Sequence, residues 1–449
     1  MSEAVTASHE VALAPVRGRD RIAVLDMMRG IAILGIFYMN IPFMAGPIAA
    51  LMGDIRSMGW STADQHVWQI IEVTWEGTQR GMLEFLFGAG LMVTAAKAMD
   101  GDGPVAVADL YIRRNLWLLA FGLLDIFGLL WPGDILHVYA LCALGLFPFR
   151  KLKVKWLLTL GLAFAAFTAV GGAFQYAGRA ETQKTYQVAV EKQSHGQKLN
   201  KEEQAAVKEW KDIEIRITGN EPFLNQMRAA EPPARAGNFA AYASFMWNGY
   251  LEIVAKGSLL FGVFEAFSAM LIGIALWKLG FLQGKRSTKE YVIALVLAYG
   301  FGMGARYIGT LERMTFTPIP KTLWITSELA RLAVSFGHVA AINLLARAKP
   351  LSRIMDLFRS AGQMAFSLYF MEQIAGIWVM FSPIGMHLPG AQGWAHLAWQ
   401  ATIVVAILLV FANVWMRFFV SGPLEWVWRS LAYNKRQPFL RVKSPALAA

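Results

Sequence analysis

The chain has 449 residues, 56% of them hydrophobic and only 16% charged, against roughly 45–50% and about 25% in ordinary soluble domains. That balance excludes disordered, collagen-like and disulfide-stapled classes and points to a bilayer. The lone cysteine, Cys142, rules out an intrachain disulfide and a cysteine-built zinc site. The net charge of +11 would suggest a polyanionic partner in a soluble protein; in a membrane protein its distribution along the chain decides its meaning.

Residues 1–21 read as a mobile, basic cytoplasmic tail. The apolar run that follows is not a signal peptide, because it carries Asp26 and Arg29 at its mouth, has the length of a full span and ends without a small-residue cleavage site. A helix needs roughly 20 mostly apolar residues to cross the hydrocarbon core. Ten stretches qualify: 30–51, 80–97, 115–131, 134–149, 156–176, 254–279, 290–309, 322–346, 364–382 and 395–418. The third and fourth are short and separated only by Trp131-Pro132-Gly133-Asp134, a turn with a capping Asp; a re-entrant pair is the alternative there. Residues 177–240 differ in kind, being polar and helix-forming, with Asn200 and Glu203 spaced as a capping box and Glu231-Pro232-Pro233 closing the stretch. Residues 241–253 read as an aromatic interfacial helix. The expected fold is therefore all-α, a polytopic bundle of about ten spans. Its expected parts are a tail over 1–21, spans one to five over 22–176, an extracytoplasmic helical insert over 177–253, spans six to ten over 254–420 and a cytoplasmic tail over 421–449.

Lys and Arg alternate between the connecting segments as cytoplasmic loops require. Arg17, Arg19 and Arg21, then Arg113 and Arg114, Arg150 to Lys155, Lys285 to Lys289, Arg347 to Arg359, and a tail with Arg429 and Lys443 fall on one side; the 383–394 loop on the other has none. Both termini are expected in the cytoplasm of a bacterial inner membrane, and the positive charge belongs to topology rather than to a nucleic acid.

Ionisable groups within spans are costly unless paired or facing a cavity, which makes each a functional candidate. Asp26 and Arg29, three apart, can pair on one helix face, either as an anchor or as part of a site. Asn40 lies three helical turns beyond Arg29, about 16 Å along the axis, and can equally bond a neighbouring helix. Asp134 with His137 can form an acid/base couple, or Asp134 can be a helix cap alone; Tyr139 is close by in sequence. His66, near Asp64 in the first loop, is an outward-facing base or an idle solvated residue. Asp125, Glu265, Glu328 with Arg331, His338, and Glu372 with Gln373 can line a path or form interhelical pairs. The small-residue patches at Gly88, Gly171 and Gly302 read as close helix packing. No phosphate loop, dinucleotide fingerprint or HExxH is present, and no metal or resident cofactor is expected.

The string Leu25-Asp26-Met27-Met28-Arg29-Gly30-Ile31-Ala32-Ile33-Leu34-Gly35-Ile36, ending in Asn40, resembles the opening of the YeiB-like bacterial inner-membrane proteins, the family of domain of unknown function 418. Five further stretches follow in the family's order: Leu86 to Gly90, Arg113-Arg114, Gly133 to Leu136 with Tyr139-Ala140, Gly362 to Tyr369 with Gln373, and Gly422 to Arg429. The first span is also similar to that of transmembrane acyltransferases, in which an arginine is followed after ten residues by a histidine. Here Arg29 is kept and Asn40 replaces the histidine; an amide cannot act as a base, although it can orient a substrate or donate to an oxyanion. The resemblance thus implies an acyltransferase whose base comes from Asp134, His137 or His66. Arg29 would meet the phosphates of cytoplasmic acyl-CoA, and Asp26, Tyr139 and Gln373 would help to bind substrate. The acceptor would be an extracytoplasmic glycan or lipid. A transporter of a small or amphipathic solute, using Glu265, Glu328, Arg331 and Glu372, is the competing expectation.

Overall fold

The computed structural model describes residues 21–96 and 105–441, and among them the regular structure is helical apart from one isolated bridge between Phe419 and Leu440. The expected tail over 1–20, with Arg17 and Arg19, and Lys443 in the C-terminal tail lie outside the described residues. In chain order, α1 (Ala23–Ala45) and α2 (Ile48–Met52) lead through a 3-10 turn at Ile55–Met58 into α3 (Thr62–Thr74) and α4 (Thr78–Ala95). Then come α5 (Val105–Phe127), α6 (Leu136–Leu146), α7 (Val154–Ser194), α8 (Lys201–Ile217), α9 (Pro222–Ala236) and α10 (Phe239–Ala255). The second half holds α11 (Ser258–Leu279), α12 (Thr288–Met314), α13 (Leu323–Arg347), α14 (Lys349–Gln363), α15 (Ala365–Gln373), α16 (Trp394–Phe418) and α17 (Pro423–Ala432). A π-wound segment, Ile374–Phe381, continues α15.

Among the described residues, six helices are long and apolar enough to cross a membrane: α1, α7, α11, α12, α13 and α16. The pair formed by α14 and α15, bent by 77°, makes a seventh if counted as one broken span. Three of the ten expected stretches fall short of that description for identifiable reasons. α4 carries Arg80 and Glu84, α5 carries Asp109, Arg113, Arg114 and Asp125, and α6 has 11 residues, about 16 Å of helix. Their packing is nonetheless central: α4 is buried along most of its length between α1, α11 and α13.

The expected insert begins inside a helix. α7 runs unbroken for 41 residues, about 60 Å, because the stretch after Gly178 has no proline and is rich in Ala, Gln, Lys and Glu, all good helix formers. α8 starts at the Asn200–Glu203 capping box read from the sequence, with Asn200 Oδ1 accepting from Glu203 N at 2.8 Å and Glu203 from Asn200 N at 2.9 Å. α7 and α8 lie against each other through stacked Tyr186 and Trp210 rings, 4.6 Å apart, and through Lys192 Nζ on Glu203, 2.6 Å. α9 ends one turn past Pro232-Pro233 and is tied to the end of α1. The buried Glu231 accepts from Ile48 N (2.7 Å) and from Arg235, which donates to Met44 O (3.0 Å).

Close helix crossings depend on glycine at two places. A Cβ on Gly273 of α11 would stand 2.6 Å from Phe85 Cα of α4, and one on Gly362 of α14 would stand 2.9 Å from Asp26 Cα of α1. Such backbone contact is how helices associate where lipid removes the hydrophobic drive. Polar glue is added at one end of α4. Arg331 of α13, buried, donates to Glu84 of α4 (2.8 Å) and Glu328 of α13 (2.8 Å) and pairs with Glu265 of α11 (2.9 Å); Arg80 of α4 also holds Glu265 (2.8 Å). The expected Glu328–Arg331 pair is thus one edge of a five-residue network joining three helices.

Two measurements test this account. Arg331→Met leaves three buried carboxylates with one guanidinium, and a loss of about 3–5 kcal/mol is expected in thermal unfolding of the detergent-purified protein; unchanged stability would refute the anchoring role. For α8, the Lys192 and Asn200 hydrogen bonds hold the Glu203 carboxyl below its ordinary 4.5, so its stabilisation is complete above the ordinary value and is lost as pH falls through the lower folded one. Amide exchange over 200–206, corrected for intrinsic rate, should therefore accelerate as the pH falls below the ordinary carboxyl value of 4.5, and Glu203→Gln should remove that step.

Candidate functional site

Crossing α14 at Gly362 sets Arg29 at the rim of a cavity of about 220 Å³. Asp26, buried, accepts a forked pair of bonds from Arg21 (2.7 and 2.8 Å) and one from Arg29 Nη1 (2.8 Å), and the same Nη1 lies 3.4 Å from Gly362 O. Arg114 and Arg429 join Arg21 and Arg29 in the lining, so four guanidiniums and one carboxylate, Glu425, border it. Glu425 is committed elsewhere: it accepts from Phe366 N (2.7 Å) and Ser367 Oγ (2.5 Å) at the start of α15, where a helix N-terminus favours negative charge. Trp428 Nε1 donates to Arg114 O (2.8 Å), which ties α17 to α5. Beyond this polar rim the walls are apolar, with Leu83, Leu86, Phe87, Leu118 and Phe366 leading to Tyr139 and Tyr369. Each of the six stretches on which the family resemblance rests contributes a lining residue, from Arg29 through Gly90, Arg114, Tyr139 and Tyr369 to Arg429.

Behind Tyr369 stands the Asp134–His137 couple. The either-or of the sequence dissolves: Asp134 Oδ2 accepts the His137 backbone N–H at 2.8 Å, as a cap does, and lies 2.7 Å from His137 Nδ1. Asp134 Oδ1 accepts from Tyr369 OH at 3.2 Å. With Nδ1–H directed to a carboxylate, the neutral imidazole keeps its lone pair on Nε2, and Nε2 is buried with no hydrogen-bond partner among the described residues. Asp125 of α5 is fully buried, and neither of its carboxyl oxygens has a hydrogen bond among the described residues. Asp134 and His137 line a second cavity of about 190 Å³ with Gly133, Tyr250, Arg80 and Glu84. Ile135 and Tyr139 line both cavities, so they form the partition between them. α4 spans the distance from one to the other. Its Thr94 borders the first cavity and its Arg80 the second, 14 residues or about 21 Å apart along the axis.

The other expected site residues lie elsewhere. Asn40 is half-buried on α1 and lines neither cavity. His66 is exposed on α3, away from both linings; the neighbouring Asp64 caps α3 with Ser61 and accepts from Ala395 N. Gln373 is fully buried beside Glu372, and neither side chain has a hydrogen bond among the described residues. Sequence reasoning missed Arg21, Tyr369 and Arg80 as site residues. Tyr369 lies inside one of the six family-like stretches; Arg80 and Glu84 fall within the expected 80–97 span with nothing in the sequence to single them out.

Residues 276–435 match the family described as Protein of unknown function (DUF418). Across 96% of its length the chain is 28% identical to the uncharacterized protein YxaH of Bacillus subtilis (strain 168), covering 98% of that protein. It is 24% identical, again over 96% of its length, to the uncharacterized protein YeiB of Escherichia coli (strain K12), covering 99% of it. An uncharacterized 39.9 kDa protein in the amylase 3' region of Bacillus acidopullulyticus is 23% identical, with 99% covered. The YeiB-like resemblance read from the six stretches holds. No solved structure matches the chain.

Proposed function

We propose that this membrane protein, a member of the YeiB-like DUF418 family, transfers an acyl group from acyl-CoA, drawn in at the Arg29 cavity, to an acceptor that enters on the Asp134–His137 side. One observation carries the reading: six stretches scattered from Arg29 to Arg429 converge on a cavity with an arginine rim and an apolar depth. The rim suits phosphates, which guanidiniums bind with charge-assisted forked bonds. The apolar depth suits the acyl arm. At its floor stand Tyr139 and Ile135, past which the thioester carbonyl reaches to meet an acceptor at His137. His137 Nε2 takes the proton of an acceptor hydroxyl or amine as the acceptor oxygen or nitrogen attacks the thioester carbonyl. The new C–O or C–N bond forms, the C–S bond breaks, and the proton passes to the departing thiolate. Asp134 orients the ring and stabilises the imidazolium, as a buried carboxylate does for a catalytic histidine. The rule that basic loops stay inside puts the arginine rim and both termini in the cytoplasm of an inner membrane, and an extracytoplasmic glycan or lipid then serves as acceptor.

A solute carrier is the second reading, favoured by Glu372, which is fully buried with both carboxyl oxygens unbonded among the described residues, as a proton-coupling carboxyl in a span would be. Glu265, Glu328 and Arg331, by contrast, occupy one another in ion pairs.

Acyl-CoA titration of the purified protein in lipid should show saturable binding that Arg29→Ala weakens by about tenfold or more, the scale of one charge-assisted contact; equal binding by the two proteins would sink the donor site. Asp134→Asn keeps a capping acceptor yet loses the anionic partner of His137, so acyl transfer is expected to fall by about 10²–10⁴-fold with little change in melting temperature. Proton-coupled uptake into proteoliposomes that disappears with Glu372→Gln would instead favour the carrier.

A further inference from the structure

On the Arg80 side of the bundle lies a cavity of about 630 Å³, the widest of those described, whose contents the transfer chemistry does not use. Arg80 lines both this cavity and the one at His137. Four glutamates and four arginines face it, and most of them neutralise each other. Arg313 holds Glu72 at 2.6 Å, Arg80 holds Glu265, and Arg331 holds Glu328 and Glu265. Glu76 and Arg306 are left over. The Glu76 side chain is exposed to the cavity and has no hydrogen bond among the described residues. Arg306 donates through Nε and Nη2 to main-chain carbonyls of Glu72, Val73 and Glu76 and makes no direct ion pair among the described residues. A carboxylate and a guanidinium that face one cavity without touching each other are the complement of a zwitterion.

The lip of the cavity supplies the second half of the argument. Phe167 of α7 and Phe261 of α11 line it, yet they are 72% and 53% exposed. Each belongs to a membrane-spanning helix, and each continues into outward-facing apolar side chains, Val170 and Phe174 on α7, Leu260 and Phe264 on α11. A polar cavity whose rim is a bilayer-facing apolar wall opens sideways into lipid, so its ligand carries its own acyl chains.

We propose that this cavity binds the headgroup of a zwitterionic aminophospholipid, with the primary ammonium on Glu76, the phosphate on Arg306 and the acyl chains leaving between Phe167 and Phe261. A primary ammonium offers three N–H donors to a carboxylate; a quaternary one offers none. The role of this lipid as acyl acceptor rests on the acyltransferase reading; its binding does not.

The test titrates the full chain, purified in dodecyl maltoside, with dihexanoyl phosphatidylethanolamine, its phosphatidylcholine counterpart and free phosphorylethanolamine. The ethanolamine lipid is expected to bind at least about tenfold more tightly than the choline lipid, and Glu76→Gln to weaken it by about tenfold, the scale of a charge-assisted bond. Equal affinities for the two lipids, or a Glu76→Gln protein that binds like the parent, would overturn the ammonium site. Arg306→Gln should weaken both lipids alike, because both carry the phosphate; no change would overturn the phosphate position and does so independently of any folding defect in the Glu76 variant. Free phosphorylethanolamine binding as tightly as the lipid would overturn the bilayer source and assign a soluble one. The acyl-CoA titration reads the other end of α4, so loss of donor binding with retained lipid binding refutes the transfer reading and leaves this site standing.

Discussion

The structure depends on the buried network around Arg331. α4 contributes a wall to all three cavities, through Leu83, Phe87 and Gly90 to the first and through Arg80 to the second and third. A helix with an arginine and a glutamate in its sequence has no reason to sit in the middle of an apolar bundle unless those charges are met there. Arg331 and Glu265 meet them. Removing two charges from water costs several kcal/mol per ion, which only good geometry and additional hydrogen bonds offset. Arg331, using its whole fork on three carboxylates, provides that geometry. Where α4 stands then follows, and with it the position of each cavity wall.

The helical class, the long apolar helices and their approximate limits were readable from hydropathy, because backbone groups in lipid have no partner outside their own helix. α11, α12, α13 and α16 lie within a few residues of their expected ends. Two features were not readable. The continuity of α7 into the insert is set by helix propensity over Ala180 to Ser194, which hydropathy treats as a boundary. The charged helices α4 and α5 and the short α6 need tertiary partners to be understood, and a single sequence does not say which helices face each other.

The site divides along the same line. Asp26 with Arg29 and Asp134 with His137 are three residues apart; helical spacing joins the first pair and the cap at the start of α6 joins the second. The contribution of Arg21 to the first pair, and of Tyr369 to the second across more than two hundred positions, comes from packing. Asn40 and His66 had the right chemistry and a plausible side of the membrane, but neither reaches a cavity wall.

The partition of Tyr139 and Ile135 has an electrical consequence. The first cavity is apolar between its arginine rim and these two side chains, so a transmembrane voltage would fall across that apolar depth and the partition together rather than across either polar mouth. A full charge crossing such a layer exchanges about 2.3 kcal/mol with every 100 mV. An acyl group is neutral. On the proposed acyl transfer, with the phosphates held at the arginine rim and only the acyl carbonyl reaching past the two side chains, the passage would be electrically silent, and the partition would insulate without opposing the chemistry.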